Sequence, residues 1–192
     1  SAPRRSILVA DVGAEEQGLL GSKFLATNPI VPTGKMAAVI NFDAENIWGR
    51  TRDISFIGFG KSTLDAVAET VAGYQGRTIV PDQFPDRGYF YRSDQFSLAQ
   101  VGVPGMYVKG GNDFIGRPEG WGEQQLVAYE RDRYHAPADE LTEDWSFDGL
   151  VEDARFGLLA GLLIANDEAM PSWRPGDEFE AARLEALEAA GP

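Results

Sequence analysis

The sequence predicts an α/β domain: a mostly parallel, twisted sheet with helices on both faces. Two observations carry this. Apolar runs of strand length recur at 6–12, 36–42 and 53–59, with shorter ones at 77–80 and 105–108. Between several of them lie segments whose apolar residues recur every three or four positions, the period of a helix with one buried face. Strands that alternate with helices favour a sheet covered on both sides, and ligands then gather at the carboxyl ends of its strands.

The elements follow in order. Ile7-Leu8-Val9-Ala10-Asp11-Val12 reads as a buried strand, and 16–27 as a helix stopped by Asn28-Pro29. Met36 to Phe42 and Asp53 to Phe59 read as the next two strands. Ser62-Thr63 caps a helix whose Leu64, Val67, Ala68 and Val71 share a face, ending near Gly73 or Gly76. A short strand at 77–80 leads to a helix over 94–101, preceded by Ser93, and then to the strand Gly105-Met106-Tyr107-Val108. The Gly-rich stretch from Gly110 to Gly122 is expected to be a long loop, a length that usually has a functional reason. Its Phe114 and Trp121 suit either the entrance to a site or simple packing. A long helix over Phe147–Ala169 and a short acidic, Ala-rich helix over 177–189 complete the chain. Residues 1–192 form a single domain in this reading, with a mobile tail over 171–192.

Composition narrows the function classes. Seventeen basic residues against 30 acidic ones give a net charge of −13, which disfavours nucleic acid and anionic membrane surfaces. No cysteine is present, so a metal would have to be held by carboxylates and imidazole. No stretch approaches the roughly 20 apolar residues of a membrane helix.

The residues that could carry chemistry follow the predicted strands. Glu15-Glu16 stands at the first strand-to-helix junction, where two carboxylates can divide labour between holding a metal and moving a proton. The alternative for the pair is a helix N-terminus, whose dipole favours acids. Asp43 follows the second strand, as a ligand or a strand-end cap. The single histidine, His135, lies in Arg133-Tyr134-His135-Ala136-Pro137-Ala138-Asp139. Carboxylates and an imidazole at successive loops suit zinc when thiolates are absent.

These segments resemble the co-catalytic dinuclear zinc exopeptidases, a family that includes bacterial aminopeptidases, glutamate carboxypeptidase II and glutaminyl cyclases. Ala14-Glu15-Glu16-Gln17-Gly18-Leu19-Leu20-Gly21-Ser22 is similar to the family's central motif, and Asn41-Phe42-Asp43 to its next ligand segment. Arg92-Ser93-Asp94-Gln95-Phe96 with Gly102-Val103-Pro104, and Tyr134-His135-Ala136-Pro137-Ala138-Asp139, are similar to its later motifs. Trp173, Pro175-Gly176 and Glu178-Phe179 resemble a tail of the bacterial aminopeptidases.

The resemblance implies a three-layer zinc-exopeptidase fold with its N-terminal part missing, and hydrolysis that removes N-terminal residues from peptides. It makes Glu15 the general base and Tyr134 the donor to the oxyanion. Glu16 and His135 become ligands of one zinc and Asp43 a ligand of the other, while Arg92 positions substrate or forms a structural salt bridge. Asp94 is a helix cap or a supporting residue, and Gln95 stands where the family often has His. The family's His-x-Asp segment and its bridging Asp precede the double Glu and have no counterpart here, so the chain alone is expected to be inactive. A peptide substrate, export to the periplasm or medium, and self-association or a partner chain along an exposed sheet edge are further expectations. Rival readings are an impaired or short subunit, a cyclase-like acyltransferase, and an α/β domain whose acids merely cap helices.

Overall fold

A computed structural model of the chain describes residues 2–43 and 46–191. Its elements are α1 (Leu20–Thr27), β1 (Val39–Phe42), β2 (Asp53–Ile57), α2 (Leu64–Tyr74), β3 (Thr78–Pro81), α3 (Gln95–Gln100), β4 (Gly105–Gly110), α4 (Trp121–Asp132), α5 (Asp148–Asn166) and α6 (Glu180–Ala190). The strands form one sheet in the order β1-β4-β2-β3. β1 pairs with β4 and β2 with β3 in parallel, while β2 and β4 run antiparallel. Two parallel pairs thus stand back to back, which keeps the carboxyl ends of β1 and β4 on one side.

Alternation along the strands divides the core. Ile54 and Phe56 of β2 and Met106 and Val108 of β4 point to one face, where Leu64, Ala68 and Val71 of α2 meet Phe156, Ala160 and Ile164 of α5. Ile57 and Tyr107 point to the other, against Phe90, Ala99, Trp173 and Phe179. Helices therefore cover both faces, as expected. The Ser62 hydroxyl accepts from the Leu64 amide at 3.2 Å and so starts α2, whereas Thr63 makes no side-chain cap.

Several expectations are corrected. Residues 6–12 form no strand, and Ile7, Leu8 and Val9 are exposed, Val9 by 89%. The chain is pinned just before them, where Arg5 donates its amide to the Ala165 carbonyl and its guanidinium to that of Ile164 at the end of α5. An apolar run becomes a strand only when a neighbouring backbone pairs with it, and β1 pairs with β4. The first helix begins at Leu20 rather than at residue 16, because Ala14 and Leu19 adopt left-handed backbone (φ +60° each) and wind 14–19 into a turn. The Gly-rich loop ends at Gly120, and 121–132 is helical, an element the sequence reading lacked. Asp94 makes no cap on α3, and its Oδ1 is buried with no hydrogen-bond partner. The tail is packed, not mobile: Trp173, Phe179 and Arg183 are buried, and the Trp173 indole donates to the Gly102 carbonyl at 3.2 Å. No helix among the described residues is long and apolar enough to cross a membrane.

Candidate active site

Glu15, Glu16, Asp43, Arg92, Tyr134 and His135 all line one cavity of about 1030 Å³. They arrive from unrelated parts of the fold. Glu15 and Glu16 sit in the turn before α1, where the Glu15 carbonyl accepts from the amides of Gly18 and Leu19 at 2.9 and 2.8 Å. No acid lies in the first turn of α1 itself, so the helix-dipole explanation of the pair fails. Asp43 directly follows β1. Arg92 precedes α3, and no salt bridge holds it among the described residues; its guanidinium reaches only the Arg87 carbonyl, at 3.5 Å. Tyr134 and His135 follow α4, so the histidine comes from the end of a helix and not from a strand end.

Three contacts define the acidic side of the cavity. His135 Nε2 lies 2.7 Å from Glu16 Oε1, and the imidazole stacks on the Tyr134 ring with centroids 3.8 Å apart. The Ser93 hydroxyl donates to Asp43 Oδ2 at 2.6 Å. Among the described residues, the non-glycine residues with positive φ are Ala14, Leu19 and His135, two flanking the double Glu and one supplying the imidazole. Backbone in sparsely populated regions concentrates at functional sites, where surrounding structure holds it in place.

Clustered carboxylates shift the local acids and phenols. Burial, then the charges of Asp43, Glu16 and Asp94, raise the Glu15 carboxyl above the ordinary glutamate value, with His135 pulling the other way. Burial and the charges of Glu16 and Asp43 likewise raise Tyr134, opposed by Arg92, so its phenol keeps its proton.

The sequence reading missed the rest of the wall. Arg87 pairs with Glu130, which also accepts from the Tyr89 hydroxyl at 2.7 Å. Trp48 packs edge-on against Tyr129 and Phe114, with centroids 5.7 and 6.3 Å apart, and all three face the cavity. The Tyr129 phenol, pushed up to about 12 by burial and by its bond to Asp139, is a fixed donor. Tyr129 and Glu130 lie on α4, so a helical reading of 121–132 is the signal that would have exposed them. Of the two loop aromatics, Phe114 lines the cavity and Trp121 packs on it, edge to face at 5.2 Å.

An adjacent carboxylate and imidazole, and a carboxylate held by a hydroxyl, are the right donor types for an ion of borderline softness. Their number falls short: among the described residues no group of three or more His, Cys, Asp or Glu side chains is placed to hold an ion. A catalytic zinc normally has three protein ligands.

Known proteins resemble this chain in sequence and fold. Residues 1–155 match the model of peptidase family M28. Leupeptin-inactivating enzyme 1 of Streptomyces exfoliatus is 29% identical over 134 residues, which are 68% of this chain and 29% of that protein. The LapA aminopeptidase of Legionella pneumophila has a similar fold, with a TM-score of 0.54 and 13% identity over 82% of this chain and 38% of that one. An aminopeptidase from Aneurinibacillus sp. strain AM-1 superposes with a TM-score of 0.51 and 16% identity over 86% of this chain and 33% of that one. The chain therefore spans only about a third of the length of the relatives it matches. With a family match over most of its length and the motif residues gathered in one cavity, the chain belongs to peptidase family M28, a family that is generally zinc-dependent.

Proposed function

We propose that this chain carries part of the catalytic centre of a zinc aminopeptidase, a hydrolase that removes N-terminal residues from peptides. The observation that carries the reading is the convergence of Glu15, Glu16, Asp43, Tyr134 and His135 on a single cavity. Glu15 takes a proton from the attacking water and returns it to the leaving amine. Its raised carboxyl suits both steps, because a base with a pKa closer to neutrality is also a competent acid. Tyr134, protonated and exposed to the cavity, donates to the oxyanion as charge develops on the scissile carbonyl. Arg92, free of any salt bridge among the described residues, orients the peptide. Glu16 with His135, and Asp43, would contribute to holding zinc, which would supply positive charge to polarise the scissile carbonyl.

The short ligand set makes the isolated chain inactive in this reading. With added zinc it is expected to give no measurable turnover of a leucine anilide, and robust turnover would overturn the argument from missing ligands. The reading itself is tested on the whole polypeptide encoded by the gene that contains this sequence. That protein should cleave the anilide, and Glu15→Gln should lower kcat by about 10²–10⁴-fold, the usual worth of a general base. An unchanged rate removes Glu15 from the mechanism.

The exposed run Ile7-Leu8-Val9 and the open edge of β1 favour a second element of the proposal. Further polypeptide, from the same protein or a partner chain, covers this edge and supplies the remaining ligands. Export to the periplasm or medium belongs to the same reading, and fractionation of the producing cells tests it.

A further inference from the structure

The Gly-rich stretch after β4 is fastened to the entry of β2. The Arg52 amide donates to the Asp113 carbonyl and the Ile115 amide to the Arg50 carbonyl, both at 2.9 Å, so Thr51 and Phe114 face each other as an antiparallel bridge. Asp53, the first residue of β2, closes the clamp. Its carboxylate accepts from two successive amides, Asn112 on Oδ2 at 3.1 Å and Asp113 on Oδ1 at 2.9 Å. Two charge-assisted bonds to one loop fix its path as well as its distance. Only glycine fits where the loop approaches, since a Cβ on Gly111 would lie 2.0 Å from Asp53 Oδ1. Asp53 is itself held: the buried Arg77 guanidinium and the Thr51 hydroxyl donate to its carbonyl at 2.8 and 2.7 Å.

The clamped loop presents Phe114, and α4 starts on that ring. Gly122 is the buried residue of α4, and a Cβ there would lie 2.3 Å from the Asn112 carbonyl oxygen and 2.8 Å from the Phe114 ring. At the far end of the helix the amides of Arg133 and Tyr134 both donate to the Tyr129 carbonyl, at 2.8 and 2.9 Å. The turn that carries Tyr134 and His135 is therefore an extension of α4. We propose that Asp53 is a positioning residue for the candidate active site: it fixes the loop, the loop seats α4 through Phe114, and α4 sets where Tyr134 and His135 stand. Tyr129 on Trp48 and Glu130 with Tyr89 hold the second half of the helix from the cavity side. A three-turn helix moves as a rigid element, so a shift of its first turn is carried to its last.

His135 is the only histidine, so its Hε1 proton gives one imidazole signal in the NMR spectrum of this chain. The Tyr134 ring stacked on it at 3.8 Å displaces that signal from its position in the urea-unfolded chain. Asp53→Asn, which turns an NH2 group toward one of the two loop amides, should move the signal toward the unfolded position. Gly111→Ala leaves Asp53 intact but forces the loop away, and should move it in the same direction. In both variants the Asn112 and Asp113 amides should exchange with solvent about tenfold faster or more, the worth of a hydrogen bond to a charged group. Arg183→Met loosens the fold at α6 instead and should leave the His135 signal at its wild-type position. A signal unmoved by Asp53→Asn and Gly111→Ala, or moved as far by Arg183→Met, overturns the positioning role. The consequence for catalysis rests on the active-site reading of the cavity. In the whole protein Asp53→Asn should lower kcat for the leucine anilide, because a misplacement on the order of 1 Å can cost about 10²-fold. A wild-type kcat in that variant overturns the positioning role. A wild-type whole protein that leaves the anilide uncut overturns the active-site reading, while the NMR comparison still decides whether Asp53 places His135.

Discussion

Glu15 is a half-solvated carboxylate surrounded by like charge, and its chemistry follows from that setting. An acid whose pKa rises on folding binds protons more tightly in the native state, so folding loses stability as pH climbs from the ordinary glutamate range, about 4.3, through the raised value. NMR titration of the Glu15 side chain should give a midpoint above that range. Asp43→Asn, which removes the largest neighbouring charge, should bring it down, and an unmoved midpoint would show that the two carboxylates do not interact. At Tyr134 the prediction concerns rate. In the whole enzyme, Tyr134→Phe should cost about 10²–10³ in kcat, as for other single oxyanion donors, with little change in KM. A rate equal to wild type would leave the phenol only as the stacking partner of His135.

At the scale of elements, the decisive feature is how α6 is tied to the body. Arg183 is 1% exposed, and its guanidinium donates to the carbonyls of Met36 at 3.0 Å and Pro171 at 3.1 Å. No carboxylate pairs with it among the described residues, and burial alone holds its pKa below the usual arginine value. Peptide dipoles rather than a counter-ion therefore balance the charge. Arg183→Met keeps the length but strands those carbonyls, and should cost about 2–4 kcal/mol of unfolding free energy in urea titration. A loss below about 0.5 kcal/mol would mean the tail is only loosely attached. Gly102 supports the same contact. It sits at φ +87°, and a Cβ there would lie 2.5 Å from the Arg183 amide, so only glycine allows α6 to approach.

The whole molecule joins a closed core to an open edge. At the closed end Arg77, buried under α5, reaches Asp153 at 2.6 Å, the Thr51 hydroxyl at 2.7 Å and the Asp53 carbonyl at 2.8 Å. Asp153→Asn leaves that guanidinium without its charge partner and should destabilise the fold by about 3–5 kcal/mol. At the open end Ile7, Leu8 and Val9 are exposed, as are Leu158 and Phe42 of the edge strand β1. An apolar edge of this kind invites association. The isolated chain should elute as a self-associated species in size-exclusion chromatography, and Val9→Lys should shift it toward monomer. A clean wild-type monomer would remove the case for a covering partner.

The sequence by itself determined the family motifs, the helix periodicity of α2 and α5, and the residue types that gather at the cavity. Those are local properties: the spacing of apolar positions and the chemistry of Glu, Asp, Tyr and His do not depend on distant neighbours. Pairing does, and only the tertiary structure decided it. The run at 6–12 has strand composition yet no partner, and β2 lies antiparallel to β4, because backbone hydrogen bonds are made between segments far apart in sequence. The same holds for the site. The turn that carries Glu15-Glu16 exists because Ala14 and Leu19 take left-handed backbone, and α4 was obscured by the glycines that precede it. Glu16 meets His135, 119 positions later, only once the turn before α1 and the segment after α4 are brought to the same cavity.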